Sequence, residues 1–168
     1  LEGATKRESL PGSPAVALVT LRAEVSVRTR PGPTASRVAL EAASDAALRD
    51  PVAALPLLDL ASRCLNAAES DHHAWSALSQ AWVALPQVHD TLTGPWRALL
   101  AARRASAGSG DPTSAWDAAL MAVEDGIPLA ARVGAITDAA TDAASRGAAV
   151  RARALVDRGT AMLRGTQA

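Results

Sequence analysis

In residues 70–85, SDHHAWSALSQAWVAL, the large apolar side chains Trp75, Leu78, Trp82 and Leu85 recur at spacings of three, four and three. That beat places them on one stripe of an α-helix, in which about 3.6 residues make a turn. Ser76, Ser79 and Gln80 fall off the stripe. Ser70 or Asp71 can cap the start by accepting a hydrogen bond from a backbone N–H left over at the helix end. Pro86 ends the run, because the residue before a proline is pushed out of the helical region. The chain has no Phe, no Tyr and four Trp, so tryptophans are the bulkiest groups from which a core can be built. Each can bury roughly 150–250 Å2. Neighbouring helices are therefore expected to gather on this stripe, with Trp75 and Trp82 inside.

The rest of the composition agrees with helices. Apolar residues make up 49% of 168 residues, and much of that share is alanine, the best helix former. One domain of this size can bury a working core without disulfides or metals. Cys64 is the single cysteine. It excludes an intramolecular disulfide and reads as a small buried hydrophobe. No apolar run approaches the roughly 18 residues of a membrane span, and residues 1–14, LEGATKRESLPGSP, do not resemble a signal peptide. A cytoplasmic protein without a membrane partner is the expectation. The absent initiating Met suggests a processed chain or a fragment of a longer one.

Seventeen basic residues balance seventeen acidic ones, so no global field steers the chain onto nucleic acid. The balance is uneven locally. Residues 1–40 hold six basic and three acidic residues, residues 41–92 two and seven, and residues 93–168 nine and seven. The acidic middle argues against nucleic acid there.

Taken in order, residues 1–14 read as a leader rich in Gly, Pro, Ser and charge. In residues 19–28, Val19, Leu21, Ala23, Val25 and Val27 alternate with polar residues, the period-two pattern of a half-buried strand, with an unpaired extended segment or a short helix as the alternative. A lone strand needs a partner, so Val25 and Val27 are candidate contacts to another protein or a second copy. Residues 1–33 form an extended arm on this reading, and residues 34–168 a helical domain with a flexible joint at 106–111.

Helix starts in that domain are marked by a repeated device, proline at the first helical position, where its missing N–H is harmless. It occurs at Pro51, Pro86, Pro95, Pro112 and Pro128, with Asp50 and Asp111 placed to cap. The expected helices span 34–49, 51–67, 71–85, 95–105 with a short lead-in from 86, 112–124, 128–145 and 148–163. Pro56 should kink the second or delay its start. Gly126 and Gly147 are placed as C-terminal caps. The fold class is all-α, either an antiparallel helical bundle or a short helix-pair array.

Helix starts recur so that a two-helix unit repeats at about 35 to 40 residues, the period of helix-pair arrays. Within residues 50–85, DPVAALPLLDLASRCL carries Ala54, Leu58 and Ala61 at spacings of four and three, and AWSALSQAW carries Trp75, Leu78 and Trp82. The pair resembles the second helix of one tetratricopeptide-type repeat and the first helix of the next, with Ser79 where a glycine is usual. The resemblance ends there, since Gly94-Pro95 interrupts the next expected helix. It implies a scaffold that binds a partner peptide or helix.

Chemistry has few footholds. Glu69 and His72 make one Glu-x-x-His step, with His73 beside it and His89 downstream. Carboxylate-bridged metal bundles use that step twice with two further carboxylates, so these four are weak metal-ligand candidates for a small metal-dependent helical enzyme. No glycine-rich phosphate loop or Gly-x-Ser-x-Gly turn is present, and neither a catalytic residue nor a cofactor is indicated. Arg103, Arg104 and Arg146 join Arg151, Arg153, Arg158 and Arg164 as the basic features, read as a solvated face; the alternative is a regulatory domain of a nucleic-acid-associated protein. On the last helix Arg151 and Arg158 share one side, while Arg153 and Arg164 lie elsewhere. The leading expectation is protein–protein interaction or self-association. Trp96 and Trp116, each just after a helix start, are the candidate surface anchors.

Overall fold

The computed structural model describes residues 21, 25, 29, 32–48, 50–66, 72–85, 90–124 and 127–165. Among them seven α-helices follow one another: α1 Pro33–Ala47, α2 Pro51–Asn66, α3 His72–Ala84, α4 Asp90–Arg104, α5 Pro112–Ala122, α6 Leu129–Ser145 and α7 Ala149–Gly165. The protein is all-α. None of these helices is long and apolar enough to cross a membrane.

The punctuation works as its chemistry requires. Asp50 accepts a hydrogen bond from the Val52 N–H at 3.0 Å, and Asp111 accepts one from the Thr113 N–H at 3.0 Å. Pro51 and Pro112 follow at the first helical positions. The Ser114 hydroxyl also donates to Asp111, and these two donors hold its carboxyl below the usual carboxylate range. That cap is complete above the ordinary carboxylate range and is lost as pH falls through the depressed value. Gly147, at φ 77°, closes α6. Its N–H donates to the Ala144 carbonyl and that of Ala148 to the Ala143 carbonyl, the paired bonds of a left-handed helix stop. Gly126 lies outside the described residues.

Three expectations change. The fourth helix does not start at Pro95 but at Asp90 and runs through it. Pro95 lacks the N–H for the ladder bond to the carbonyl four residues back and its ring crowds that carbonyl, yet the helix continues through it. Pro56 likewise does not delay α2, which begins at Pro51. In the segment expected as a strand, the two described residues, Leu21 and Val25, are helical, and Thr29 donates its hydroxyl to the Val25 carbonyl at 2.8 Å. Positions 21, 25 and 29 also satisfy a four-residue period, and a helix closes its own hydrogen bonds where a lone strand cannot. Val27 lies outside the described residues.

The helices pair as hairpins. α1 lies along α2, α4 along α5 and α6 along α7, while α3 packs on α1 and α2, α2 on α4, and α5 on α6. The α1 face is almost pure alanine, with Ala35, Ala39, Ala42, Ala43 and Ala46 all buried. All four tryptophans are buried and belong to the core. Residues 106–111, expected as a joint, hold most of the turn Ala105–Ser109, which breaks from helical geometry at Gly108, φ 107°. There the Ser106 hydroxyl accepts the Trp116 indole N–H at 2.8 Å, and its carbonyl accepts Arg146 at 3.3 Å.

One polar cluster ties the hairpins together. Arg103, at the end of α4, has 0% exposure. Its guanidinium donates to Asp59 and to the Ser62 hydroxyl (2.9 Å) on α2, and to Asp138 (2.9 and 3.1 Å) on α6. Burial by itself would drive the proton off Arg103, but the two carboxylates outweigh that and raise its pKa further. Arg63, also on α2, meets the same Asp138 at 3.4 Å and lies against Gly134, where a side-chain carbon would come within 3.2 Å of its guanidinium.

Removing one member of a buried ion cluster strands the others in a medium that solvates charge poorly. Arg103→Met is expected to lose about 3–5 kcal/mol in urea unfolding. The triple variant Arg103→Met, Asp59→Leu, Asp138→Leu, which removes every stranded charge but Arg63, should recover most of that loss. A single variant within about 0.5 kcal/mol of the parent would contradict this role.

Candidate functional site

The tryptophans proposed as surface anchors are core residues. Trp96 is 5% exposed and Trp116 1% exposed, so neither reaches a partner on the surface of this chain. Trp96 lies within α4, which begins a turn earlier than Pro95, and Trp116 turns its indole N–H onto the Ser106 hydroxyl. Val25 is exposed. His72 and His73 are exposed at the start of α3, and Glu69 and His89 lie outside the described residues. Among the described residues no three His, Cys, Asp or Glu side chains come close enough to hold a metal ion.

Cys64 is fully buried on α2. Burial pushes its thiol up to about 11, against a backbone hydrogen bond from Gly32 that favours the thiolate. It is therefore a packing residue and a poor nucleophile. The linkage sign follows. The unfolded thiol ionises near 9.0 and the folded one near about 11, so this group's contribution is complete below pH 9 and is lost as pH rises toward 11. Cys64→Ala should flatten the fall of stability across that window. In the parent, modification by a thiol reagent at pH 8 should track global unfolding; labelling at the rate of an exposed thiol would contradict this placement.

The buried Arg103 cluster has no room for a substrate. The Arg103 guanidinium is turned on Asp59, Ser62 and Asp138, and Arg103 is sealed from solvent. Arg103 was not separable by sequence from its neighbour Arg104, which is exposed as expected of a solvated face. The signal that could have found the cluster is Asp59. It is the one acidic residue in LPLLDLASRCL, between Leu58 and Leu60 on a helix with buried Leu55, Leu58 and Leu65. A carboxylate on an otherwise apolar helix face needs a buried cation.

Two surface concavities stand out among the described residues. The larger, about 460 Å3, is a groove along the α6/α7 hairpin. From α6 it is lined by Val133, Ile136, Thr137, Ala140, Thr141 and Ala144, spacings of three and four that keep one helix face toward it. From α7 it is lined by Ala152, Val156, Gly159, Thr160 and Leu163. The two helices approach closely at Gly159, where a side-chain carbon would come within 3.3 Å of Ile136 Cγ2. Thr137, Thr141 and Thr160 each donate their hydroxyl to the carbonyl four residues back on their own helix, at 2.9 Å. Their polar atoms are thus satisfied internally, and the groove wall is aliphatic in effect. Val156 and Leu163 are 56% and 47% exposed.

The smaller concavity, about 400 Å3, lies where α1, α2 and α3 meet, against Ala47, Leu48, Leu58 and Leu85. Leu48 and Val83 stand exposed in that region of the chain.

The arginines of α7 divide. Arg151 pairs with Asp117 at 2.8 Å and Arg158 with Glu124 at 2.5 Å, both on the α5 side. These two, which share a side of the helix, brace α7 and are not left for phosphate. No protein-family model, curated protein or solved structure matches the chain.

Proposed function

We propose that the chain is a helical protein-interaction module that receives a partner helix in the α6/α7 groove. One observation carries the reading: an uncovered face, lined over three turns by small aliphatic residues, whose threonine hydroxyls are already bonded to their own backbone. Such a face gains little from water and gains from an apolar stripe laid into it. The lining from Val133 to Ala144 runs about 16 Å at 1.5 Å per residue, room for about three turns of a partner. Alanine, glycine and threonine let helix backbones approach closely, as at small-residue crossings generally. Residues 50–85, with their resemblance to tetratricopeptide helices, belong to the same reading as the scaffold beneath. A role in the cytoplasm fits a chain whose described helices do not span a membrane.

The test separates surface from fold. Val156→Asp puts a charge in the groove at an exposed position, so stability should change by less than about 1 kcal/mol. A photo-crosslinking amino acid placed at Thr137 or Thr160 should capture a partner in the cells that express the protein, and Val156→Asp should abolish the capture. Equal capture from Val150, on the exposed side of α7 away from the groove, would contradict the proposal.

A further inference from the structure

This inference rests on the groove reading above and gives the partner's chemistry. Each helical residue turns the chain by about 100°. Arg153 follows the groove-lining Ala152, and Arg164 follows Leu163, so both stand on the solvent edge of the groove on either side of Thr160. Both are exposed. Neither has an ion pair or hydrogen bond to another described residue, whereas Arg151 and Arg158 are bound to α5. Asp157, also exposed, lies about 20–40° further round the helix, away from the groove.

The α6 side supplies no counter-charge. Arg132 donates to the Glu124 carbonyl, Asp138 belongs to the Arg103 cluster and Asp142 is paired with Arg146. The apolar groove therefore has one basic edge, with two cations about 16 Å apart at 1.5 Å per residue.

We infer that the occupant is an acidic amphipathic helix of a partner protein. Its apolar stripe lies in the groove, and Asp or Glu residues about three turns apart on its flank face Arg153 and Arg164. The other occupants fit the charge less well. The chain's own residues 1–32, ahead of α1, carry five basic against three acidic side chains, so they meet this edge with like charge. A second copy paired through the same face offers Arg153 and Arg164 no acidic flank, because the carboxylates of its α6, Asp138 and Asp142, are already paired.

The experiment is a selection. A display library of 18-residue helical peptides is panned on the full chain and, in parallel, on the Arg153→Glu, Arg164→Glu variant. Winners are resynthesised and measured by fluorescence anisotropy. The expected winners on the parent carry an apolar stripe with an excess of Asp and Glu on its flank. They should bind about tenfold more weakly to the double variant and weaken with salt. Selection on the double variant should return Lys and Arg at the same flank. Winners that are lost on Val156→Asp but show no acidic excess, or bind both chains equally, overturn this inference and leave the groove reading standing. Winners that bind Val156→Asp as well as the parent overturn the groove reading itself. A parent that sediments as a dimer, with Val156→Asp a monomer, overturns the inference in favour of a second copy.

Discussion

Among the described residues the guanidinium of Arg103 is the one charge with no access to water, and it is held from two sides. Three helices far apart in sequence depend on it: α2 through Asp59 and Ser62, α4 through Arg103 itself, and α6 through Asp138. The interfaces around it are made largely of alanine and leucine. Such faces bury area without fixing position, because one alanine ridge slides past another at small penalty. A cation that must meet two carboxylates at hydrogen-bond distance selects one register among many of similar apolar burial. Gly134 extends the same logic, since the absence of a side chain there lets the Arg63 guanidinium lie on the α6 backbone and share Asp138.

That arrangement decides which surface stays open. One side of α6 is committed to α2 and α4 through Asp138, and another to α7 through Ile136 and Gly159. α7 is braced from the α5 side by Arg151 and Arg158. What is left is the face on which Thr137, Thr141, Val156 and Thr160 look outward. The edge of that face is also where Arg153 and Arg164 stand, neither paired with another described residue. The apolar lining thus comes from α6 and α7 together and the basic edge from α7, whose other two arginines have been drawn to the opposite side.

Much of the fold was legible in the sequence, for local reasons. Helix starts are written in Asp-Pro steps, whose side-chain caps form in the structure at Asp50 and Asp111. The Trp75, Leu78 and Trp82 stripe is buried as its spacing requires. The departures are non-local or ambiguous. A period of two over ten residues also contains a period of four, so residues 21 and 25 fit a helix as well as a strand. Pro95 reads as a start because sequence alone does not reveal that Asp90 and its neighbours have already entered the helix. Arg103 and Arg104 are chemically identical neighbours, and which one turns inward depends on Asp59 and Asp138, 44 and 35 residues away. The groove was less legible still. Thr137, Thr141 and Thr160 look like polar surface until their hydroxyls are seen bonded to their own helices, and Arg153 differs from Arg151 only in which neighbour it meets.

The account makes α2, α4 and α6 one cooperative frame locked by Arg103, with the α6/α7 face carried on it. Hydrogen–deuterium exchange of the parent and the Arg103→Met variant, under conditions where both remain folded, tests this most directly. The predicted result is that amides of α2, α4 and α6 lose protection together and by a common factor. Loss confined to the last turn of α4, with α2 and α6 protected as in the parent, would contradict it and reduce Arg103 to a local fastening.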